Sequence, residues 1–282
     1  MFVFQYPVCH GSWQRNAKFR FAEPPPCWVG SIPRRRPTMS LGQRLAAGAR
    51  LLSESPSNFH LRFKLGAGGA RAVVTGTKAM VTGGDVSRIS GRPQEYESLH
   101  EQAFFKLMEV DPGVEDYGAQ PAEFFNPNEV GQRGAYFPDV IRRLADDRVQ
   151  VIEVKKSLMD IREEEYAEKL ALVADDCRKI GWEFHIVEGF RLREANVFNI
   201  SANEIEKRKF TVTPVAIRAR AKVAVERKGG RVALGELIEL LGGWPVGLDI
   251  VCSLICQREF VADLRYPWTL STSITSAREA RA

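Results

Sequence analysis

Tyr136-Phe-Pro-Asp139-Val-Ile141, and after a polar turn Val149-Gln-Val-Ile-Glu153-Val-Lys155, is the stretch that decides the fold. Side chains alternate faces along a strand, so Glu153 and Lys155 project together while Val154 points into the core. Val151, Ile152 and Val154 mark the second strand as mostly buried. Asp146-Asp147 predicts the tight turn between the two strands. Three charged groups thus sit in an apolar hairpin, and burying unpaired charge is costly enough that they need partners.

Upstream, Gln94 opens an amphipathic helix with Tyr96, Leu99, His100, Ala103, Phe104, Leu107 and Met108 at three- and four-residue steps. Asp111-Pro112-Gly113 stops it. Strands are expected over 120–125, 135–144 and 148–155, then a helix over 161–180 ended by Gly181, then a strand over 182–187. The order is α-β-β-β-α-β. Residues 190–208 are expected to be helical and connecting. Three helices over 215–227, 234–241 and 246–257 and an extended piece over 260–264 follow, in the pattern of a small winged helix-turn-helix.

The domain reading has four parts. Residues 1–40, with Pro24-Pro25-Pro26 and Arg34-Arg35-Arg36, form a disordered tail that need not be native, Met39 being the alternative start. Residues 41–92 are an N-terminal extension of unknown role, with a helix over 41–52, strands over 61–65 and 72–82 and a glycine-rich turn over 66–69. Residues 93–200 are the chemical core, and residues 210–270 the winged-helix-like module.

A divalent cation held by Asp139 and Glu153 answers the need for a partner. Magnesium favours oxygen ligands and keeps waters for a substrate phosphate. Phosphodiester cleavage needs an activated water and neutralised phosphoryl charge, which metal ions supply. Lys155 would orient that water or stabilise charge building on the phosphate. Glu101 is the fourth group, on the helix flank shared with Glu97, Phe104, Phe105 and Met108; Glu97, one turn earlier, competes with it. The bland alternative is a solvated Asp-Glu-Lys surface cluster.

Composition agrees. The formal charge is +5 and the pI about 9.0, which favours a polyanionic partner. Five scattered cysteines suggest no disulfide framework and a reducing, cytoplasmic setting. Cys252 and Cys256 read as buried thiols, since a zinc site needs about four ligands. No apolar run reaches the ~18 residues of a membrane span.

Ser98-Leu-His-Glu101-Gln-Ala-Phe-Phe-Lys-Leu-Met-Glu-Val-Asp-Pro-Gly-Val114, then Gln120-Pro121, Tyr136-Phe-Pro-Asp139 and Ile152-Glu-Val-Lys155, resembles the TnsA family, the endonuclease subunits of heteromeric transposases. The resemblance covers about residues 95–190 and, more loosely, the end to about 265. It implies a restriction-endonuclease-like α/β core with a PD-(D/E)xK site: Glu101, Asp139, Glu153 and Lys155 catalytic, and Glu101, Asp139, Glu153 and the Val154 carbonyl as metal ligands. It implies Mg2+, with Mn2+ as a substitute, and cutting of the non-transferred strand of double-stranded DNA at the 5′ ends of a mobile element. The implied partners are an integrase-type transposase and an ATP-dependent regulator that contacts the C-terminal part. Glu153 stands where some members carry Gln, Gln120 is an accessory candidate without a derived role, and the first 90 residues match no part of the family. The competing readings are a free-standing phage, repair or restriction nuclease using the same site, and an inert DNA-binding protein.

Overall fold

The computed structural model describes residues 39–63, 81–126, 128 and 134–277. The expected disordered tail, the glycine-rich turn and most of the expected strand over 72–82 lie outside these residues.

A four-stranded sheet carries the core, in the order β4 (Val114–Ala119), β7 (Val140–Leu144), β8 (Val149–Lys155), β9 (Glu183–Glu188). Neighbours are antiparallel except β8 and β9, which are parallel. That parallel pair needs a crossover, supplied by α3 (Glu164–Lys179). Gly181, at φ +74°, turns the chain from α3 into β9. Both faces of the sheet are covered, which is why β8 reads as a run of apolar residues. Val140, Ile152 and Val154 face α2 (Leu99–Val110), with Phe104, Phe105 and Met108. Ile141, Val149 and Val151 face the other way, with Leu170, Val173 and Cys177 of α3.

The N-terminal boundary expected from sequence shifts. Residues 41–63 are part of the core rather than an appendage. In α1 (Leu41–Glu54), Leu41, Leu45 and Leu52 join the α3-side cluster with Trp182 and Phe184. Gly48 makes the approach possible: a Cβ there would lie 2.5 Å from the Trp182 ring. Buried Asp176 accepts from the backbone N–H groups of Asn58 and Phe59 at 3.2 and 2.8 Å, fixing the chain that leaves α1. Then β1 (His60–Phe63) pairs with β5 (Ala122–Phe125), which pairs with β6 (Ala135–Tyr136) in a second sheet.

Three local expectations also change. The first helix begins at Leu99, not Gln94, because Ser98 caps it by accepting from Glu101 N–H at 3.2 Å, and the residues before it form β3 (Pro93–Tyr96) against β2 (Gly83–Val86). The expected strand over 135–144 is two strands in different sheets, parted at Phe137-Pro138. Strand β4 was not expected at all: its neighbouring prolines and its Glu-Asp pair hide the alternation.

After the short helix α4 (Gly189–Arg193) and α5 (Val197–Glu206), the C-terminal module runs α6 (Val215–Arg227), β10 (Arg231–Ala233), α7 (Leu234–Leu240), α8 (Val246–Cys256), β11 (Phe260–Ala262), β12 (Ser273–Ser276), with strand order β10-β12-β11. It shares one continuous apolar cluster with α2 and α5. Buried Cys252 and Cys256 are free thiols within it. Arg258 ties the module down: its guanidinium donates to the carbonyls of Met108 and Glu109, both at 2.7 Å, and of Val114 at 3.3 Å. It thereby caps the C-terminal end of α2 with a positive charge. Among the described residues, no helix is long and apolar enough to cross a membrane.

Candidate nuclease site

Strand register assembles the site. Val140 pairs with Ile152, so one residue further out Asp139 lies opposite Glu153 at the open end of β7 and β8. Val154 N–H donates to Asp139 Oδ2 at 2.7 Å, holding the aspartate against the strand that carries Glu153 and Lys155. Lys155 Nζ lies 2.6 Å from Glu153 Oε1. From the other layer, the first turn of α2 brings in Glu101, which is 6 % exposed.

The four side chains share one electrostatic environment. Burial pushes the Asp139 carboxyl well above the usual range, and the charges of Glu153 and Glu101 push it further. Glu101 is raised by burial, by Glu97 and by Glu153, against hydrogen bonds that lower it. Burial would lower the Lys155 ammonium, but Glu153 and Asp139 outweigh it and the net shift is upward. Asp139 and Glu153 therefore face the Lys155 ammonium, and Glu101 lies near enough to both carboxylates to disfavour their shared charge. Oxygen donors with an excess of negative charge suit a hard divalent cation, so the residues fit a magnesium-type ion in their chemistry.

The arrangement is not a closed cage. Among the described residues, no three histidine, cysteine, aspartate or glutamate side chains converge as a ready ligand set. Two of the carboxylates are also held by protein donors. Both Glu101 oxygens are taken within its own helix cap, by Glu97 N–H at 2.9 Å and the Ser98 hydroxyl at 2.8 Å. Both Glu153 oxygens are taken too, by the hydroxyls of Tyr136 and Tyr166, each at 2.5 Å. Of the expected ligands, Asp139, Glu153 and Val154 lie side by side on β7 and β8 with Glu101 near them, but the three carboxylates do not converge, and Glu101 and Glu153 are engaged by protein donors. Glu97 was expected to compete from the same helix face; it instead precedes the Ser98 cap, outside the helix, and its backbone N–H donates to Glu101.

Tyr136 and Tyr166 are the site residues that sequence reasoning missed. Tyr136 lay in plain view, three residues before Asp139, and is 5 % exposed. Tyr166 falls within the helix expected over 161–180 and was not singled out there. Its hydroxyl reaches Glu153 and its ring lies 5.0 Å from Lys155 Nζ, a cation–π distance. Glu188 was missed as well: it pairs in register with Lys155, is buried, and meets Arg191 Nε at 3.1 Å.

Residues 111–189 match the family model described as TnsA-like endonuclease N terminal. This segment is similar to a TnsA-like endonuclease domain. The TnsA-like match takes in Asp139, Glu153, Lys155, Tyr136 and Tyr166, and the whole four-stranded sheet. Glu101 lies before the first matched residue and reaches the site through the packing of α2. A search of curated proteins finds no match.

Proposed function

We propose that this chain is a metal-dependent DNA endonuclease that cuts the non-transferred strand at the 5′ ends of a mobile element, as the TnsA-like subunit of a heteromeric transposase. The observation that carries the reading is the meeting of Asp139 and Glu153 beside the Lys155 ammonium, with Glu101 close to both carboxylates, at the open end of a sheet that matches a TnsA-like model.

Asp139 and Glu101 would hold the ion, with Glu153 joining as its tyrosine contacts yield. When bound, Mg2+ or Mn2+ supplies charge neutralisation at the phosphoryl oxygens and a more acidic water. Lys155 stays protonated beside two carboxylates, so it acts as a positive charge that orients the nucleophilic water or meets the phosphate, not as a base. Tyr166 keeps that ammonium over its ring and beside Glu153.

The order α6, β10, α7, α8, β11, β12 supports reading the C-terminal module as a winged helix-turn-helix. Its α8 would be the groove-reading helix, yet every residue from Ile250 to Cys256 is buried against the rest of the protein. Arg218 and Lys222 of α6 pair with Glu259, and Lys228, just after the helix, pairs with Glu236. These features favour a module that docks partner subunits over one that reads bases. The partners are the integrase-type transposase and the ATP-dependent regulator.

The test is a nicking assay in Mg2+ on end-containing duplex, with and without the products of adjacent genes. Wild-type protein nicks the 5′ end and Asp139→Ala does not. Binding of duplex without nicking in either Mg2+ or Mn2+, partners present, sinks the proposal.

A further inference from the structure

Gln120, the residue after β4, has a left-handed conformation, φ +42°, which costs a non-glycine residue on the order of 1 kcal/mol or more. Its side chain is 2 % exposed, and its Oε1 is buried without a hydrogen-bond partner. A buried acceptor left unmade costs about 1–3 kcal/mol. The following residue, Pro121, has no N–H to offer it. Strain and an orphaned acceptor at the same residue ask for a compensating role.

Its neighbours say what that role is. Gln120 N–H donates to the Asp139 carbonyl at 2.9 Å. Ala119 pairs with Val140, and Val140 with Ile152. One residue further out, Gln120, Asp139 and Glu153 therefore form a single row across β4, β7 and β8.

We infer that Gln120 is a positioning residue of the nuclease site, its Oε1 accepting a hydrogen bond from a water held beside Asp139 and so ordering the solvent shell of the bound divalent cation. The inference rests on the metal-dependent nuclease reading above. A carboxamide suits the task because its oxygen accepts without adding a fourth negative charge to the three carboxylates present. Outer-shell partners of this kind change metal affinity or activity by about 10–100-fold when removed.

The test uses the full-length chain as wild type, Gln120→Met, Gln120→Gly, Gln120→Glu and Asp139→Ala. Three quantities are measured: melting temperature in EDTA, Mn2+ affinity by calorimetry, and nicking of end-containing duplex in Mg2+ with partners, resolved into kcat and KM. Gln120→Met, nearly isosteric, removes the orphaned acceptor, so it melts in EDTA no lower than wild type. It loses Mn2+ affinity and kcat by about 10-fold or more at unchanged KM. Gln120→Gly suits the left-handed backbone and shows the same loss, so the result does not hang on one variant's packing. Gln120→Glu keeps an acceptor oxygen and retains the Mn2+ affinity that the other two lose. If Gln120→Met and Gln120→Gly keep wild-type Mn2+ affinity while Asp139→Ala loses it, the role assigned to Gln120 is overturned and the nuclease reading stands. If Asp139→Ala also keeps it, the metal-site reading itself fails, and this inference with it.

Discussion

Tyr166 donates its hydroxyl to Glu153 at 2.5 Å while its ring sits 5.0 Å from Lys155 Nζ, so one side chain from α3 touches both charged residues of the Glu-x-Lys motif. Tyr136 makes the matching bond from the opposite side, also at 2.5 Å. A carboxylate and an ammonium two residues apart on one strand could adopt many rotamers; two fixed hydroxyls leave them few.

Tyr166→Phe keeps the ring and removes the hydroxyl. Hydrogen bonds to a charged group contribute about 1.5–3 kcal/mol, less where the donor is partly exposed. We expect a stability loss near 1 kcal/mol, and a nicking rate reduced several-fold with KM for DNA unchanged. Tyr136→Phe, at a fully buried site, should cost more stability. Urea melts and single-turnover nicking check both; equal rates in wild type and Tyr166→Phe would show that Glu153 and Lys155 need no such support.

Asp139→Asn should separate stability from activity. Burial and two neighbouring carboxylates disfavour the ionised Asp139, so its carboxyl binds a proton more tightly in the folded chain than in the unfolded one. Its contribution is most favourable below the ordinary carboxylate range and is lost as pH rises, which leaves a net penalty at neutral pH. An amide keeps an acceptor for Val154 N–H and carries no charge. In EDTA at pH 7 the variant should melt at least about 2 °C higher than wild type, the shift expected for roughly 1 kcal/mol in a chain of this size. It should not nick in Mg2+. A lower melting temperature in EDTA would contradict the charge argument.

Arg258 anchors the C-terminal module to α2 through three backbone carbonyls. Arg258→Met should destabilise the protein by about 2–4 kcal/mol, because it strips a buried fork of donors from carbonyls that then stay unmet. Arg258→Lys should not rescue it, since an ammonium cannot span three acceptors in that plane. Chemical denaturation of the three proteins reads the difference. Full recovery by lysine would reduce the contact to simple charge.

Glu183 sets an acid limit. Contacts from His185, Gln150 and Arg148 outweigh partial burial and hold its carboxyl down at about 2, against 4.5 unperturbed. The stability it contributes is complete above about pH 5 and drains away as pH falls toward 2. After allowance for solvent screening it should amount to about 1–2 kcal/mol. Wild type and Glu183→Gln compared by urea melts at pH 7 and pH 3 should differ at the first and converge toward the second. A gap that does not narrow with acid would locate the effect in packing.

The local pattern of charge and hydrophobicity was enough to place Asp139, Glu153 and Lys155 on a hairpin, because a period of two along a strand decides which side chains share a face. It was enough to mark α2, α3 and the C-terminal helices, whose apolar residues repeat at the helical spacing. It marked a helix over 41–52 but not that this helix belongs to the core, because its partner, Trp182, lies more than a hundred residues later. Nor could it separate β6 from β7, since the break at Pro138 becomes visible only when each half pairs with a different strand. The state of the carboxylates was decided by tertiary structure alone. Whether Glu153 meets a metal, a lysine or two tyrosines depends on donors from β6 and α3, and no spacing along the chain records how those elements fold over the strand. Sequence names the groups that cannot be buried alone; only packing determines what they are buried with.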